Sequence, residues 1–234
     1  GLYILVVSIL ALVLDKFIIM AVVIFVFGIL IYINSKNKNL TKLFGVLMVG
    51  TILYTSTVSI IFNNVLQKHQ RDRINIVLGK ELSKEAKRGI AFNLNQSLIS
   101  IGSGGFIGKG YLNGTQTRYN YVPETSTDFI FTAIAEEWGF IGCLFLIAVY
   151  VMLLTRLIII AERQTNSYGR VYIYSVAAII FTHFTINIGM TIGLIPVIGI
   201  PLPFISYGGS SLISFTFMIA TVLKLDSERR SIMK

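Results

Sequence analysis

Six apolar stretches, each bounded by polar residues, organise this chain: Leu2–Leu14, Phe17–Ile33, Leu43–Phe62, Trp138–Ile160, Val171–Ile195 and Leu212–Leu223. At about 1.5 Å rise per residue, crossing a hydrocarbon core of about 30 Å takes about 20 helical residues. The pattern therefore predicts six membrane-spanning helices. The first is short, and its missing start is expected upstream: the chain opens at Gly1 directly in an apolar run, with no basic leader or cleavage site of a signal peptide. The intervening polar pieces are the turn Asp15-Lys16, the segment 34–42, a long mostly polar segment 63–127, the loop 162–170, a Pro/Gly segment and the tail 224–234. The fourth span has a polar lead-in from Ser126.

Composition supports this reading. The 234 residues are 54% hydrophobic and 13% charged, with mean hydropathy +0.76, which is too apolar for a soluble domain. A single cysteine, Cys143, excludes a disulfide framework, and two distant histidines, His69 and His183, give no zinc pattern. The net charge of +9 matters through its placement. Segment 34–42 carries Lys36, Lys38 and Lys42, the loop 162–170 carries Arg163 and Arg170, and the tail is basic, so these segments are expected to be cytoplasmic. Both ends of this chain then lie inside. The outer segment 63–127 holds nine basic against four acidic residues, and its length exempts it from the charge rule. Its basic groups suit anionic headgroups or a pyrophosphate, or simply a solvated surface. Arg71 and Arg73 are the better phosphate candidates, because a guanidinium fork matches an oxyanion. Nucleic acid is not among the expected partners.

The segment Gly199–Ser211, GIPLPFISYGGSS, is the most informative. Pro201 and Pro203 donate no backbone hydrogen bond, and Gly208 and Gly209 weaken helix further. Irregular backbone at membrane level is tolerated where protein buries it or it lines a wet cavity. A break carrying Ser206, Tyr207, Ser210 and Ser211 reads as a site or as an ordinary outer turn. The run SIGSGGFIGKG, Ser100–Gly110, fails as a phosphate loop. Gly102 to Gly108 is one residue too long, Gly110 follows Lys109, and Ile107 stands where a dinucleotide fingerprint needs glycine. A flexible, close-packed loop is expected there.

In PETSTDFIF, Pro123–Phe131, proline and the Thr125-Ser126-Thr127 run predict a helix start with Asp128 in its first turn. Asp128 could be a cap, a general base or a cation ligand. Asp128, Thr132 and Glu136 are spaced to share one face, with Glu137 beside it and Trp138 as an interfacial anchor. Acids at the edge of a span are costly unless they face a cavity or a partner. In the fifth span, His183 and Asn187 suggest interhelical hydrogen bonds.

These blocks together resemble the SEDS family (RodA, FtsW, SpoVE), RodA most. The match rests on QRDRI (Gln70–Ile74), QSLISIGSGGFIGKGYLNGTQ (Gln96–Gln116), YVPETSTDFIFTAIAEEWGFIG (Tyr121–Gly142) and NIGMTIGLIPVIGIPLPFISYGGSS (Asn187–Ser211). The resemblance implies an all-α polytopic membrane protein, the last six spans of a ten-span fold with a large outer loop. The expected layout is three spans over 1–62, the loop over 63–127, three spans over 128–223 with the Pro/Gly piece at 196–211, and a tail. It implies a peptidoglycan glycosyltransferase in the bacterial cytoplasmic membrane that polymerises lipid II on the outer face, serving elongation, or alternatively division. The family's essential aspartate falls on Asp128, as general base or as holder of a divalent cation (Mg2+ or Mn2+). Arg71, Arg73, Gln96, Ser97, Lys109, Thr127, Glu136 and Glu137 are then expected at the substrate cleft. Gly102, Gly104, Gly105, Pro123, Asn187, Pro201, Pro203, Ser206, Tyr207, Gly208, Gly209 and Ser210 are expected to shape it. A class B penicillin-binding protein is the expected partner. Many relatives have His before the Thr of the aspartate block, where this chain has Glu124-Thr125-Ser126. A lipid II flippase and a structural scaffold are the competing readings. Acids concentrated near one face favour the enzyme over a flippase, and a scaffold leaves the Asp128 block unexplained.

Overall fold

The computed structural model describes residues 16–33, 37–80, 83–119 and 125–232. Among them the secondary structure is entirely helical. The first apolar stretch and Pro123 lie outside the described residues. The chain forms two compact units, 1–83 and 84–234.

In the first unit, α1 (Lys16–Ile33) packs on α2 (Lys38–Ile60), whose N-cap Asn37 accepts from the amides of Asn39 and Leu40. A π-helical turn, Ile61–Val65, prolongs α2, and α3 (Lys68–Val77) follows after a capping box between Gln67 and Gln70. The stretch Lys38–Val65 is long and apolar enough to cross a membrane, and Ile18–Ile33 is a shorter apolar helix.

The second unit begins with α4 (Lys84–Arg88), α5 (Ile90–Gly104) and α6 (Thr115–Arg118). The expected outer loop is therefore largely helical and divides between the two units. The polar–apolar alternation of FNLNQSL (Phe92–Leu98) hid a helix that buries Ala91, Leu94, Ser97, Ser100 and Gly104 on one face. Three long helices complete the unit: α7 (Ile130–Glu162), α8 (Ser167–Thr191) and α9 (Gly209–Ile232). All three contain membrane-length apolar windows. Their core is Leu146, Tyr150, Leu157, Ile160, Ile173, Val176, Ile180, Phe215 and Val222, while Phe145, Met152, Phe181 and Phe217 face outward, as a bilayer solvent allows.

Chain direction puts the end of α7, the start of α8 and the end of α9 at one pole. There Arg163 forks onto Asp226, Nε to Oδ1 at 3.0 Å and Nη2 to Oδ2 at 2.5 Å, and Arg170 donates to Gln164 O at 3.1 Å. The opposite pole carries the turn before α7 and the irregular Pro/Gly strap between α8 and α9.

Candidate functional site

The strap leaves helix after Thr191, and the protein itself satisfies its carbonyls. His183 Nδ1 lies 3.4 Å from Pro201 O, the Tyr150 hydroxyl donates to Pro203 O, and Asn187 Nδ2 donates to Ile200 O at 2.7 Å. Side-chain donors thus replace the missing helical amides, as irregular backbone at membrane level requires. The expected interhelical bonds of His183 and Asn187 are corrected accordingly: both residues reach backbone carbonyls of the strap. Helix-to-helix spacing could not reveal this, because the acceptors lie in a segment with no periodicity.

The strap is also tied to the turn Thr125–Phe129. Ser206 Oγ donates to Thr127 O at 2.6 Å and accepts from the Leu202 amide at 2.7 Å. The Tyr207 amide donates to Ser126 O at 2.9 Å. Asn187 Nδ2 also donates to Asp128 O at 2.8 Å, while its buried Oδ1 has no hydrogen-bond partner among the described residues. The main chain of Asp128 is therefore held from α8 and its neighbours from the strap. Its half-buried carboxylate lies against Gly199, where an added Cβ would sit 2.9 Å from Oδ2. Gly199 has φ +75°, so both its conformation and its missing side chain suit this approach.

Asp128 precedes α7 instead of lying in its first turn. The first helical residue is Ile130 and the N-cap is Phe129, so the shared helix face reduces to Thr132 and Glu136. Both are fully buried. Thr132 Oγ1 and Ser97 Oγ are 2.7 Å apart, and Ser97 donates to Thr191 O at 2.9 Å, which joins α5, α7 and α8.

Glu136 is the hub of a second network. Its Oε1 accepts from Lys109 Nζ at 2.7 Å and the Gln116 amide at 3.0 Å. Its Oε2 accepts from the Thr117 amide at 3.0 Å and Ser100 Oγ at 3.1 Å. The glycine-rich run explains itself here. α7 breaks at Gly139 (φ 64°, ψ −159°), and the break leaves two carbonyls and two amides without helical partners. The run supplies them: the Lys109 and Gly110 amides donate to Glu136 O and Glu137 O, and the Phe140 and Ile141 amides donate to Gly105 O and Phe106 O. The expected flexible loop is thus a fixed plug against a broken helix. Gly104 packs on Ala135 O and Gly108 on Glu137 O, where any Cβ would collide. Removing a buried, multiply bonded charge costs about 3–5 kcal/mol when its partner remains. Glu136→Ala is therefore expected to lower the unfolding temperature in detergent sharply, and Glu137→Ala to leave it nearly unchanged.

The predicted residues fall into three groups. Asp128, Thr127, Asn187, Pro201, Pro203, Ser206 and Tyr207 meet at the strap, with the Tyr207 side chain exposed. Ser97, Glu136 and Gly104 are buried behind the plug, and Lys109, partly exposed on the plug, reaches Glu136. Ser97 and Glu136, expected at the cleft, are fully buried and bonded to protein, so they position backbone and do not line a surface. Gln96 is half-buried on α5. Glu137 lines an open cavity of about 450 Å3 with Leu112, Asn113, Thr117 and Arg118. Gly105 has the left-handed φ of +59° that ends α5, whereas Gly102 and Gly209 face open space and Gly208 only Ser211. Ser210 is exposed at the start of α9. Arg71 and Arg73 lie on α3 of the first unit. Arg71 donates to Asn63 O at 3.0 Å, and Arg73 Nε is buried without a hydrogen-bond partner among the described residues. Sequence reasoning missed Gly199, Gly139 and Tyr150. A glycine two residues after the acidic pair Glu136-Glu137, in an apolar run, was the available signal for Gly139.

Broken α7, the strap and an aspartate fixed where they meet define a helical membrane protein with a polar site at one pole. The chain belongs to the family described as Cell cycle protein, that of FtsW, RodA and SpoVE, whose model matches residues 1–231. It is 38% identical over 186 residues to peptidoglycan glycosyltransferase MrdB of Escherichia coli (strain K12), covering 80% of this chain and 50% of that protein. It is 38% identical over 183 residues to peptidoglycan glycosyltransferase RodA of Treponema pallidum (strain Nichols), covering 78% and 41%. A solved structure described as "Structural coordination of polymerization and crosslinking by a peptidoglycan synthase complex" aligns with TM-score 0.59 and 28% identity, over 89% of this chain and 55% of that one. The chain spans about half the length of the curated relatives it matches.

Proposed function

We propose that this chain is the catalytic part of a RodA-like peptidoglycan glycosyltransferase, which polymerises lipid II on the outer face of the bacterial cytoplasmic membrane to serve elongation. One observation carries the proposal: Asp128 is held by its backbone between α8 and the strap, with Gly199 making room for its carboxylate. The relatives named glycosyltransferases support it.

In the proposed reaction, Asp128 takes the proton of an acceptor sugar hydroxyl as that oxygen attacks the anomeric carbon of the donor. The carbon–oxygen bond to the polyprenyl pyrophosphate breaks, and the pyrophosphate leaves with the bonding pair. A single displacement inverts the anomeric centre, turning an α-linked donor into a β-linked strand. The charge that develops on the departing pyrophosphate calls for cationic neutralisation. Lys109, bonded to Glu136, holds the plug in this scheme instead of reaching the pyrophosphate. A divalent cation, Mg2+ or Mn2+, would be held by Asp128. Among the described residues no three His, Cys, Asp or Glu side chains converge, so Asp128 would be its one carboxylate ligand from the protein. Such an ion would supply charge neutralisation. The partner proposed for cross-linking is a class B penicillin-binding protein, and the basic short segments support a cytoplasmic position for both ends of this chain.

The test is lipid II polymerisation by the full-length parent protein with its transpeptidase partner in proteoliposomes. Glycan strands longer than the disaccharide are the expected product. No strands, together with lipid II crossing the bilayer, would replace the enzyme by a flippase.

A further inference from the structure

We infer that the tip of the glycine-rich plug, Phe106-Ile107, is inserted among the lipid acyl chains of the leaflet at the Asp128 pole, so that the plug is a membrane-dipping anchor. The inference stands apart from the proposed chemistry. Phe106 and Ile107 are 76% and 81% exposed, too much apolar area for a loop in water. Their depth is fixed by the main chain. The Phe140 and Ile141 amides donate to Gly105 O at 2.9 Å and Phe106 O at 3.2 Å, so the tip lies level with the first turn of α7 beyond its break. From Phe140 to the polar end at Glu162 the helix runs about 33 Å at 1.5 Å per residue, about one hydrocarbon thickness. The tip thus meets the outer rim of the apolar slab and continues its surface: Phe140, Ile141, Leu144 and Phe145 are exposed on the same helix, and Phe106 packs edge-on to Phe140 at 5.6 Å.

Two further features fit lipid as the occupant. The amphipathic aromatic Trp138, exposed two residues nearer the pole than Phe140, suits the headgroup level. The charge nearest the tip, Lys109, is turned inward to Glu136 at 2.7 Å, and the Gly105 and Phe106 carbonyls and the Lys109 and Gly110 amides are bonded to α7. Bonding those groups within the protein lowers the cost of bringing an irregular turn to the rim of the membrane.

The experiment uses the full-length protein reconstituted alone in phosphatidylethanolamine–phosphatidylglycerol liposomes, with Cys143→Ser. Nitroxide labels go on Ile107→Cys and, independently, Phe106→Cys, with Phe145→Cys as lipid-facing reference and Lys87→Cys as aqueous reference. Collision rates are read with oxygen and with a water-soluble nickel chelate. At 106 and 107, oxygen is expected to exceed nickel several-fold, with the sign of the Phe145 site at a shallower depth. Nickel access equal to that at Lys87 would overturn the inference. So would low access to both reagents, which would mean that a protein surface, such as a second copy, covers the tip.

Discussion

Gly139→Ala is expected to destabilise the native packing of the second unit strongly, whereas Gly102→Ala, in the same region of sequence and equally glycine-rich surroundings, is expected to be neutral or slightly stabilising. Gly139 has φ 64° and ψ −159°, a conformation open essentially to glycine alone. An added Cβ would lie 2.4 Å from Gly108 N and 2.8 Å from Phe106 C and Ile107 C, all main-chain atoms of the plug. The plug cannot retreat without giving up its bonds to the Glu136 and Glu137 carbonyls and to the Phe140 and Ile141 amides. Backbone strain of about 1–3 kcal/mol, added to overpacking of about 1–3 kcal/mol, is a large share of a stability margin near the lower end of about 5–15 kcal/mol. Gly102 has ordinary helical φ and open space around it, so alanine there gains up to about 1 kcal/mol of helix propensity. Thermal unfolding of detergent-solubilised protein, read as the midpoint and the fraction of monodisperse protein recovered, checks both.

The membrane-spanning helices were legible because their signal is composition over length, and α2, α7, α8 and α9 carry it. The plug and strap were not legible in the same way. Their partners are main-chain carbonyls and amides, which every residue type carries, so the bonds from Lys109 and Gly110 to α7 leave no mark beyond permissive glycines. Asp128 could be picked out by its block, but its surroundings could not. Asn187 lies 59 positions and Gly199 71 positions further along the chain. The resemblance named the strap and the aspartate separately, and the fold joins them. Glu136 illustrates the opposite error. An acidic residue beside a span suggested a cleft, whereas backbone amides of α6 and the Lys109 ammonium neutralise it in the interior.

Asp128→Ala is expected to remove glycan synthesis while leaving the fold intact. The loss of a positioned general base is worth about 10²–10⁴ in rate. The fold should survive because the bonds that fix this turn run through main-chain oxygens, those of Ser126, Thr127 and Asp128, and alanine retains them. The full-length protein and its Asp128→Ala variant, each shown to unfold at the same temperature, are to be given fluorescent lipid II with the transpeptidase partner, and the strands resolved by length. Strands from the parent and at least a hundred-fold fewer from the variant are the predicted result. Equal strand synthesis by the two proteins would contradict the assignment of Asp128 as the group that activates the acceptor hydroxyl.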